Sequence, residues 1–424
     1  MNKHMMNYLT KGFPAEAGQH LESKRPQEWN VLRDALPFPL LVLKDAVLER
    51  NIQSMAKWCH ANGFVPAPHG KTTMCPQIFE RQMQAGAWAM TVATASQAQV
   101  ASTFGINRIL MANQLVGKAN IALVVNQINK NSDLEFYCLV DSIECIEHLV
   151  SHLKTFTPKR PLNVLLEWGK PNWRTGVYTS DQANKVMLAL LDHPDFLKFR
   201  GFEGFEGMAG MAKDKDAEID DVRDFLTSLI AMADSLDAIT PKNKEPLVLS
   251  IGGSAYLDLV REPCRGLADQ FTIAIRSGCY ITHDHGYYAE KLIEAQDRLE
   301  IQNSFPVFEP ALELWAVVQS FQEAGKALLT FGKRDCPYDL GFPKPLYVVP
   351  EGQSLDSKQT LAEGRITDTN DQHAFLSYPP SLSLHVGDRV VCGISHPCTA
   401  FDKWRMIPLV DDAYNVIDWY RTYF

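Results

Sequence analysis

The regular alternation of short apolar runs with helical stretches is the feature that most constrains the fold. Eight runs rich in branched residues occur from Phe64 onward, and amphipathic stretches separate them. The runs are Phe64–Gly70, Met90–Thr94, Arg108–Asn113, Glu135–Asp141, Leu162–Trp168, Phe199–Gly204, Leu247–Gly252 and Phe271–Ser277. Eight strand–helix units predict a (β/α)₈ barrel of the TIM type. An open, doubly wound sheet is the alternative, and the count of eight favours the barrel.

The regions on either side of this repeat follow other patterns. After about Leu299 the chain has short strand-like runs broken by Pro, Gly and Asp, which predicts a mostly β domain. Before the repeat, Leu40–Lys44 is an apolar strand beyond the barrel count, and Asp45 opens a helix. We therefore predict an arm and strand over residues 1–44 that join the β domain, a barrel over 45–298 and the β domain over 299–424.

Composition narrows the class of protein. The net charge of −9 over 424 residues argues against nucleic acid or an acidic membrane as a partner. The nine cysteines contain no Cys-x-x-Cys pair, which is typical of free thiols in a reducing cytoplasm. Residues 1–30 lack a long apolar core, so we expect neither a signal peptide nor a membrane span, and a cytoplasmic location.

Lys71 follows directly after the first predicted barrel strand, in Pro68-His69-Gly70-Lys71-Thr72. Barrel enzymes build their active sites at the carboxyl ends of the strands. A desolvated lysine amine can lose its proton and form a Schiff base with an aldehyde. A lysine whose long stem reaches solvent is the structural alternative.

Glycine-rich turns follow the seventh and eighth strands. Gly252-Gly253-Ser254 leads into a helix, and backbone amides with a serine hydroxyl can hold a phosphate there. The segment Arg276–Tyr280 can complete this phosphate cup, although an ordinary glycine turn is the alternative. A lysine facing a phosphate cup indicates pyridoxal phosphate, whose ring is an electron sink. Arg174, after the fifth strand, is a candidate for facing the ring oxygen, or else a surface arginine.

A His-x-Cys pair in Ser395-His396-Pro397-Cys398 is the candidate metal site. Imidazole and thiolate suit zinc better than magnesium or calcium. Two protein ligands would leave the site open, as a catalytic metal requires, whereas an ordinary proline turn is the structural alternative.

Taken together, these segments resemble the D-serine dehydratase and D-threonine aldolase family, within the alanine racemase-like (fold type III) pyridoxal-phosphate enzymes. The matching pieces are Pro68–Thr72, Gln82–Gly86, Thr91–Thr94, Ala112–Gln114, Arg174–Gly176, Gly252–Ser254, Arg276–Tyr280 and Ser395–Trp404. The resemblance implies that Lys71 carries the cofactor and acts as the base on one face of it. It also implies a metal pair at His396 and Cys398, and a homodimer with composite active sites. The predicted cofactor contacts are Lys71, His69, Arg174, Gly252, Gly253, Ser254, Ser277, Gly278 and Tyr280.

The resemblance implies a lyase that removes ammonia from a D-β-hydroxy amino acid such as D-serine or D-threonine. The aldolases have an aspartate at the second metal position, so Cys398 favours a dehydratase. A retro-aldol lyase is the runner-up. A racemase needs a second base, for which Tyr280 and His283 are the candidates, and a non-catalytic pyridoxal-phosphate carrier would lack the second domain. Phe205 replaces the tyrosine usual in its segment, which leaves the exact substrate open.

Overall fold

The computed structural model describes residues 10–14, 29–33, 35–211, 215–236, 239–240, 246–299 and 305–424. Within these residues the chain forms one sheet of eight strands and a second of ten. Most of the predicted N-terminal arm lies outside the described residues. Strand β1 (Leu40–Lys44) and helix α1 (Asp45–Ala61) lead into the eight-stranded sheet.

The eight-stranded sheet is a parallel barrel. Its strands are β2 (Val65–Pro66), β3 (Met90–Val92), β4 (Arg108–Gln114), β5 (Glu135–Val140), β6 (Leu162–Trp168), β7 (Leu197–Gly204), β8 (Leu247–Ile251) and β9 (Phe271–Ile275). β2 pairs with β9, and the other neighbours follow one another around the sheet. The ring is closed between β2 and β3, where the amide of Trp88 donates to the carbonyl of Pro66 at 2.8 Å and Thr91 donates to Pro68 at 2.9 Å. The predicted (β/α)₈ barrel is confirmed.

Helices follow the strands in the predicted order. They are α2 (Pro76–Gln84), α3 (Ala95–Thr103), α4 (Lys118–Lys130), α5 (Ile143–Phe156), α6 (Ser180–Leu191), α7 (Lys215–Ser235), α8 (Leu257–Cys264) and α9 (Tyr287–Arg298). Three of them begin at side-chain caps: Thr94, Ser142 and Thr179 accept the amide three residues later. Helix α9 follows β9 and completes the eighth unit.

The second sheet is the predicted β domain. Its strands after the barrel are β10 (Leu312–Glu323), β11 (Lys326–Leu329), β12 (Lys344–Val349), β13 (Gln359–Thr360), β14 (Arg365–Thr369), β15 (Ala374–Ser377), β16 (Arg389–Gly393), β17 (Met406–Val410) and β18 (Val416–Arg421). β1 lies between β10, its antiparallel neighbour, and β17, its parallel neighbour. The start of the chain and its end therefore share this sheet.

The β domain delivers its Ser395–Cys398 segment to the mouth of the barrel. The amide of His285, just before α9, donates to the carbonyl of Ile394 at 2.9 Å. The short helix α10 (Cys398–Phe401) then lies against the 3₁₀ turn Gly70–Thr72, which follows β2. Among the described helices, none is both long enough and apolar enough to cross a membrane.

Candidate active site

Lys71 lies at the carboxyl end of the first barrel strand. It is the middle residue of the 3₁₀ turn Gly70–Thr72, and its side chain is exposed. Gly70 is closely packed, since a Cβ there would lie 2.9 Å from both the sulfur of Met90 and the ring of Phe79. The glycine thus lets the turn sit directly on the barrel and holds the lysine at its mouth.

His69 directly precedes this turn. Burial lowers its pKa well below the usual value, and the charges of Lys71, Arg276 and Arg174 lower it further. Its Nδ1 atom is buried and has no hydrogen-bond partner among the described residues. Buried polar atoms are almost always paired, so this nitrogen fits a site that receives a polar or aromatic group.

The glycine turn after the seventh barrel strand lies against a carboxylate that was not predicted from the sequence. Gly252 has φ +83°, a conformation that favours glycine, and its amide donates to the carboxylate of Glu206 at 3.3 Å. The Gly253 amide donates to the same carboxylate at 2.5 Å. Both amides therefore donate to the side chain of Glu206, whose pKa is raised by burial and lowered by these hydrogen bonds. In the sequence, the only sign of a role for Glu206 is its position next to Phe205, just after the sixth barrel strand.

Two hydroxyls remain at the centre of the cup. The Oγ atoms of Ser254 and Ser277 are 2.9 Å apart, and the amide of Cys279 donates to Ser254 Oγ at 3.2 Å. Gly278 is packed so closely that a Cβ would lie 2.5 Å from Thr72 Oγ1 and 2.8 Å from the carbonyl oxygen of His69. The loop after β9 therefore touches both the cup and the lysine turn.

The hydroxyl of Tyr280, a predicted cofactor contact, is already bonded to another side chain. Its hydroxyl accepts a hydrogen bond from Gln82 Nε2 at 2.9 Å, and burial raises its pKa. Its ring packs against Phe308 at 5.6 Å between centroids. His283, the other candidate for a second base, is buried, and burial lowers its pKa to about 4.

A buried ion pair lies beneath the mouth. Arg276 pairs with Glu203, and its Nη2 atom also donates to the carbonyl of Gly204 at 2.9 Å. Burial raises the pKa of Glu203 to about 8, while the positive charge of Arg276 opposes that shift. Phe205 separates Arg276 from Arg174, whose guanidinium lies 4.9 Å from the ring centroid. The sequence analysis included Arg276 in the cup but did not anticipate its acidic partner.

Arg174 stays at the mouth because its loop is fixed from within the barrel. The Glu167 carboxylate accepts hydrogen bonds from Thr175 Oγ1 at 2.6 Å and from Gln114 Nε2 at 2.5 Å. Burial raises the pKa of Glu167, and these two hydrogen bonds oppose the shift. The end of β4 is thus joined to β6 and to the loop after β6, which carries Arg174.

The predicted metal pair lies beside a third ligating group. Ligand atoms of Cys279, His396 and Cys398 all lie within 4.8 Å of one another, and the two sulfurs are 3.4 Å apart. The Cys398 sulfur is also 3.3 Å from Thr72 Oγ1, so the pair adjoins the turn that carries Lys71. The sequence analysis grouped Cys279 with the cofactor loop and did not identify it as a possible metal ligand.

His396 is held in place by a carboxylate of the β domain. Its Nδ1 atom is 2.6 Å from Asp339 Oδ2, and the other carboxylate oxygen accepts from Thr399 Oγ1 at 2.8 Å. Although burial favours the neutral ring, hydrogen bonds to Cys398 and Asp339 raise the pKa of His396 to about 9. A hydrogen bond from the Cys279 thiol lowers the pKa of Cys398, with burial opposing and His396 adding to the effect. Thiolate and imidazole form a donor set that fits zinc.

A family model matches most of the β domain. Residues 311–410 match the family model described as "Putative serine dehydratase domain". This matched stretch lies within the β domain, and we refer to it as the serine dehydratase-type domain. That domain includes both predicted metal ligands and the Asp339 carboxylate that holds one of them.

Solved structures match nearly the whole chain. D-threonine aldolase from Filomicrobium marinum superimposes with a TM-score of 0.75 at 23% identity, over 92% of this chain and 95% of that one. D-threo-3-hydroxyaspartate dehydratase from Delftia sp. HT23 gives 0.71 at 17% identity, over 93% and 99%. An alanine racemase-like protein from Idiomarina loihiensis gives 0.70 at 15% identity, over 91% and 96%. At these identities the matches establish the fold, which is the alanine racemase-like barrel with a β domain.

One curated relative matches in sequence. A D-threonine aldolase from Arthrobacter sp. is 35% identical over 86 residues. That stretch is 20% of this chain and 23% of the aldolase. The predicted resemblance is confirmed at the level of the serine dehydratase-type domain and the fold.

Proposed function

We propose that this protein is a pyridoxal-phosphate-dependent, metal-assisted D-amino acid ammonia-lyase of the D-serine dehydratase type. The observation that carries the proposal is the contact between the lysine turn and the metal pair, where Thr72 Oγ1 lies 3.3 Å from Cys398 Sγ. A base that takes the α-proton and a group that binds the β-hydroxyl act on adjacent carbons of one small substrate. They must therefore lie close together, and the contact of Thr72 with Cys398 supports this for the turn that carries Lys71.

Lys71 is the proposed attachment point of the cofactor and the proposed proton carrier. Pyridoxal phosphate, when bound, supplies an electron sink for the charge left on the α-carbon. The hydroxyls of Ser254 and Ser277, with the backbone near Gly253 and Gly278, are suited to its phosphate. The buried Nδ1 of His69 supports the fit, because it has no partner among the described residues and is free to bond a polar group of the cofactor. Arg174 is the proposed contact for the ring oxygen.

His396 and Cys398 are the proposed metal ligands. A zinc ion, when bound, acts as a Lewis acid that helps the β-hydroxyl to leave. Asp339 bonds Nδ1 of His396, which fixes the ring and leaves Nε2 as the ligand atom. The Thr399 hydroxyl bonds the same carboxylate and holds it in turn.

The proposed reaction is an elimination of water followed by a hydrolysis. The substrate loses its α-proton and its β-hydroxide, which leave together as water, and an enamine remains. Water then hydrolyses the enamine to a 2-oxo acid and ammonia. One water is released and one is consumed, so the net products are the 2-oxo acid and ammonia.

A retro-aldol lyase is the second candidate, favoured by the 35% identity to a D-threonine aldolase over 86 residues. The serine dehydratase-type domain and the thiol of Cys398 favour elimination. A racemase is less well supported, because the Tyr280 hydroxyl is bonded to Gln82 and His283 is buried. A cofactor carrier would make no use of the cysteine–histidine cluster.

We also propose a homodimer in which the partner helps to close the mouth. Asp339 is flanked by Tyr338 and Leu340, whose side chains are 47% and 41% exposed. Large exposed apolar groups next to a functional side chain are typical of surfaces that another chain covers. Light scattering at the assay concentration tests this, since a fully active monomer would contradict it.

The test of function is one product analysis on a panel of D-amino acids that includes D-serine and D-threonine. Ammonia and a 2-oxo acid in equal amounts are expected, whereas glycine with an aldehyde would establish the retro-aldol reaction instead. Lys71→Ala should lower turnover at least about 10³-fold and abolish the adduct trapped by borohydride. Lys118→Ala, an exposed lysine at the start of α4, is the control and should change neither. An unchanged adduct in Lys71→Ala would refute the assignment of that lysine.

A further inference from the structure

We propose that Cys279 is a third protein ligand of the metal, which makes the site a Cys₂His centre with one open position. The inference rests on the proposed metal role of His396 and Cys398 and extends it to a residue of the barrel. The metal would then join the loop after β9 to the β domain, which supplies the other two ligands.

The observed geometry is close to that of a tetrahedral zinc site. Two sulfurs at 2.3 Å from a tetrahedral zinc lie about 3.8 Å apart, and a sulfur and a nitrogen lie about 3.6 Å apart. The sulfurs of Cys279 and Cys398 are 3.4 Å apart, and all three ligand atoms lie within 4.8 Å of one another. The sulfurs need to move apart by only about 0.4 Å, which a small side-chain rotation supplies.

Cys279 is held at this point by its own backbone. It begins the 3₁₀ helix Cys279–Ile281, and its amide donates to Ser254 Oγ at 3.2 Å. Gly278 packs against the lysine turn with no room for a side chain. Among the described residues, this is the only cluster of three or more His, Cys, Asp or Glu groups with metal-binding spacing. The presence of a second thiol in this cluster therefore favours a metal ligand over a cysteine that only packs against its neighbours.

The charge balance favours two thiolates. Cys279 is 3% exposed and the His396 side chain is 15% exposed, so the metal would be largely removed from water. Two thiolates cancel the charge of a divalent ion, whereas one would leave a net positive charge in a buried site. Three protein ligands leave the fourth tetrahedral position for the substrate hydroxyl, as in other catalytic zinc centres.

The experiment counts sulfur atoms around zinc in the holoenzyme. X-ray absorption at the zinc edge should give two sulfur neighbours at about 2.3 Å in the unaltered protein and one in Cys279→Ser. Competition with a chelator should show at least about 100-fold weaker zinc binding in Cys279→Ser, because loss of a direct ligand exceeds the effect of an outer-shell change. The borohydride-trapped adduct at Lys71 should persist. Cys145→Ser, a buried thiol on α5, is the matched control and should retain both sulfurs and full affinity.

The outcomes separate this inference from the proposed function. One sulfur in the unaltered protein, or unchanged zinc affinity in Cys279→Ser, would overturn the third ligand while leaving the metal pair in place. A protein that binds no zinc and still eliminates water at full rate would instead overturn the metal role itself. If Cys279→Ser does not fold, the sulfur count of the unaltered protein decides alone.

Discussion

Replacement of Gly278 by alanine should damage catalysis as well as stability. The glycine has φ −113°, which any residue adopts, so the substitution adds only the volume of one methyl group. That methyl would lie 2.5 Å from Thr72 Oγ1 and 2.8 Å from the carbonyl oxygen of His69. Ordinary contacts begin near 3.4 Å, so the two segments must separate by about 0.6 to 0.9 Å.

This separation displaces the turn that carries Lys71. The Thr72 side chain can rotate, but the His69 carbonyl belongs to the backbone and can move only with the turn. Overpacking of this kind lowers the free energy of unfolding by about 1–3 kcal/mol. A displacement of about 1 Å at reacting groups can lower the rate about 10²-fold, which corresponds to about 2.7 kcal/mol of activation free energy.

The assay measures kcat/KM on the preferred D-amino acid and the Tm of the same preparations. Gly105→Ala is the matched control, because Gly105 has φ +86° and open space around it, so alanine there is strained but does not crowd the site. We expect Gly278→Ala to lose about 10²-fold in kcat/KM and Gly105→Ala to lose little. The double variant Thr72→Ala/Gly278→Ala should recover part of the unfolding free energy, since one of the two close contacts is removed. Equal kcat/KM in Gly278→Ala and the unaltered protein would refute the reasoning.

Two further predictions concern charge. Asp339→Asn should weaken zinc binding about 10–100-fold in chelator competition, because the ring of His396 loses its orienting carboxylate, while Asp371→Asn, in an exposed ion pair with Arg334, should not. Burial lowers the pKa of His283 to about 4, below its unfolded value near 6.5, so its contribution to stability is full above about pH 6.5 and is lost as the pH falls toward 4. The free energy of unfolding, measured with denaturant, should fall between pH 7 and pH 5, and this fall should be about 2 kcal/mol smaller in His283→Asn than in the unaltered protein. An equal fall in both proteins would contradict the assignment.

The barrel was predictable because its signals are local. Each strand is a short apolar run, and each helix buries one face at a period of 3.6 residues. Strands β17 and β18 were missed because Pro408 interrupts one and Asp418 the other, which weakens both patterns. Helix α10 has four residues, too few to show any period, so its segment was interpreted as a site motif and not as a helix.

The composition of the site was only partly predictable. Lys71, the glycine turns and the His-x-Cys pair carry chemistry in their own residue types, and the sequence analysis identified them. Contacts between distant residues carry no local signal: Thr72 and Cys398 meet across 326 positions of the chain. Glu206 was missed for a related reason. In the sequence, a carboxylate that binds a glycine turn cannot be distinguished from any other acidic loop residue.

The loop after β9 connects the parts of the proposed site, because four successive residues each reach a different group. Arg276 pairs with the acid at the end of β7, and Ser277 meets the serine of the cup. Gly278 lies against the lysine turn, and Cys279 meets the thiol of the β domain. Successive residues leave a strand end in different directions, so a single loop can serve all four contacts only in one register. An insertion of one residue there would disturb the ion pair, the cup, the lysine turn and the metal cluster together, whereas an insertion in a loop at the opposite face of the barrel would disturb none of them.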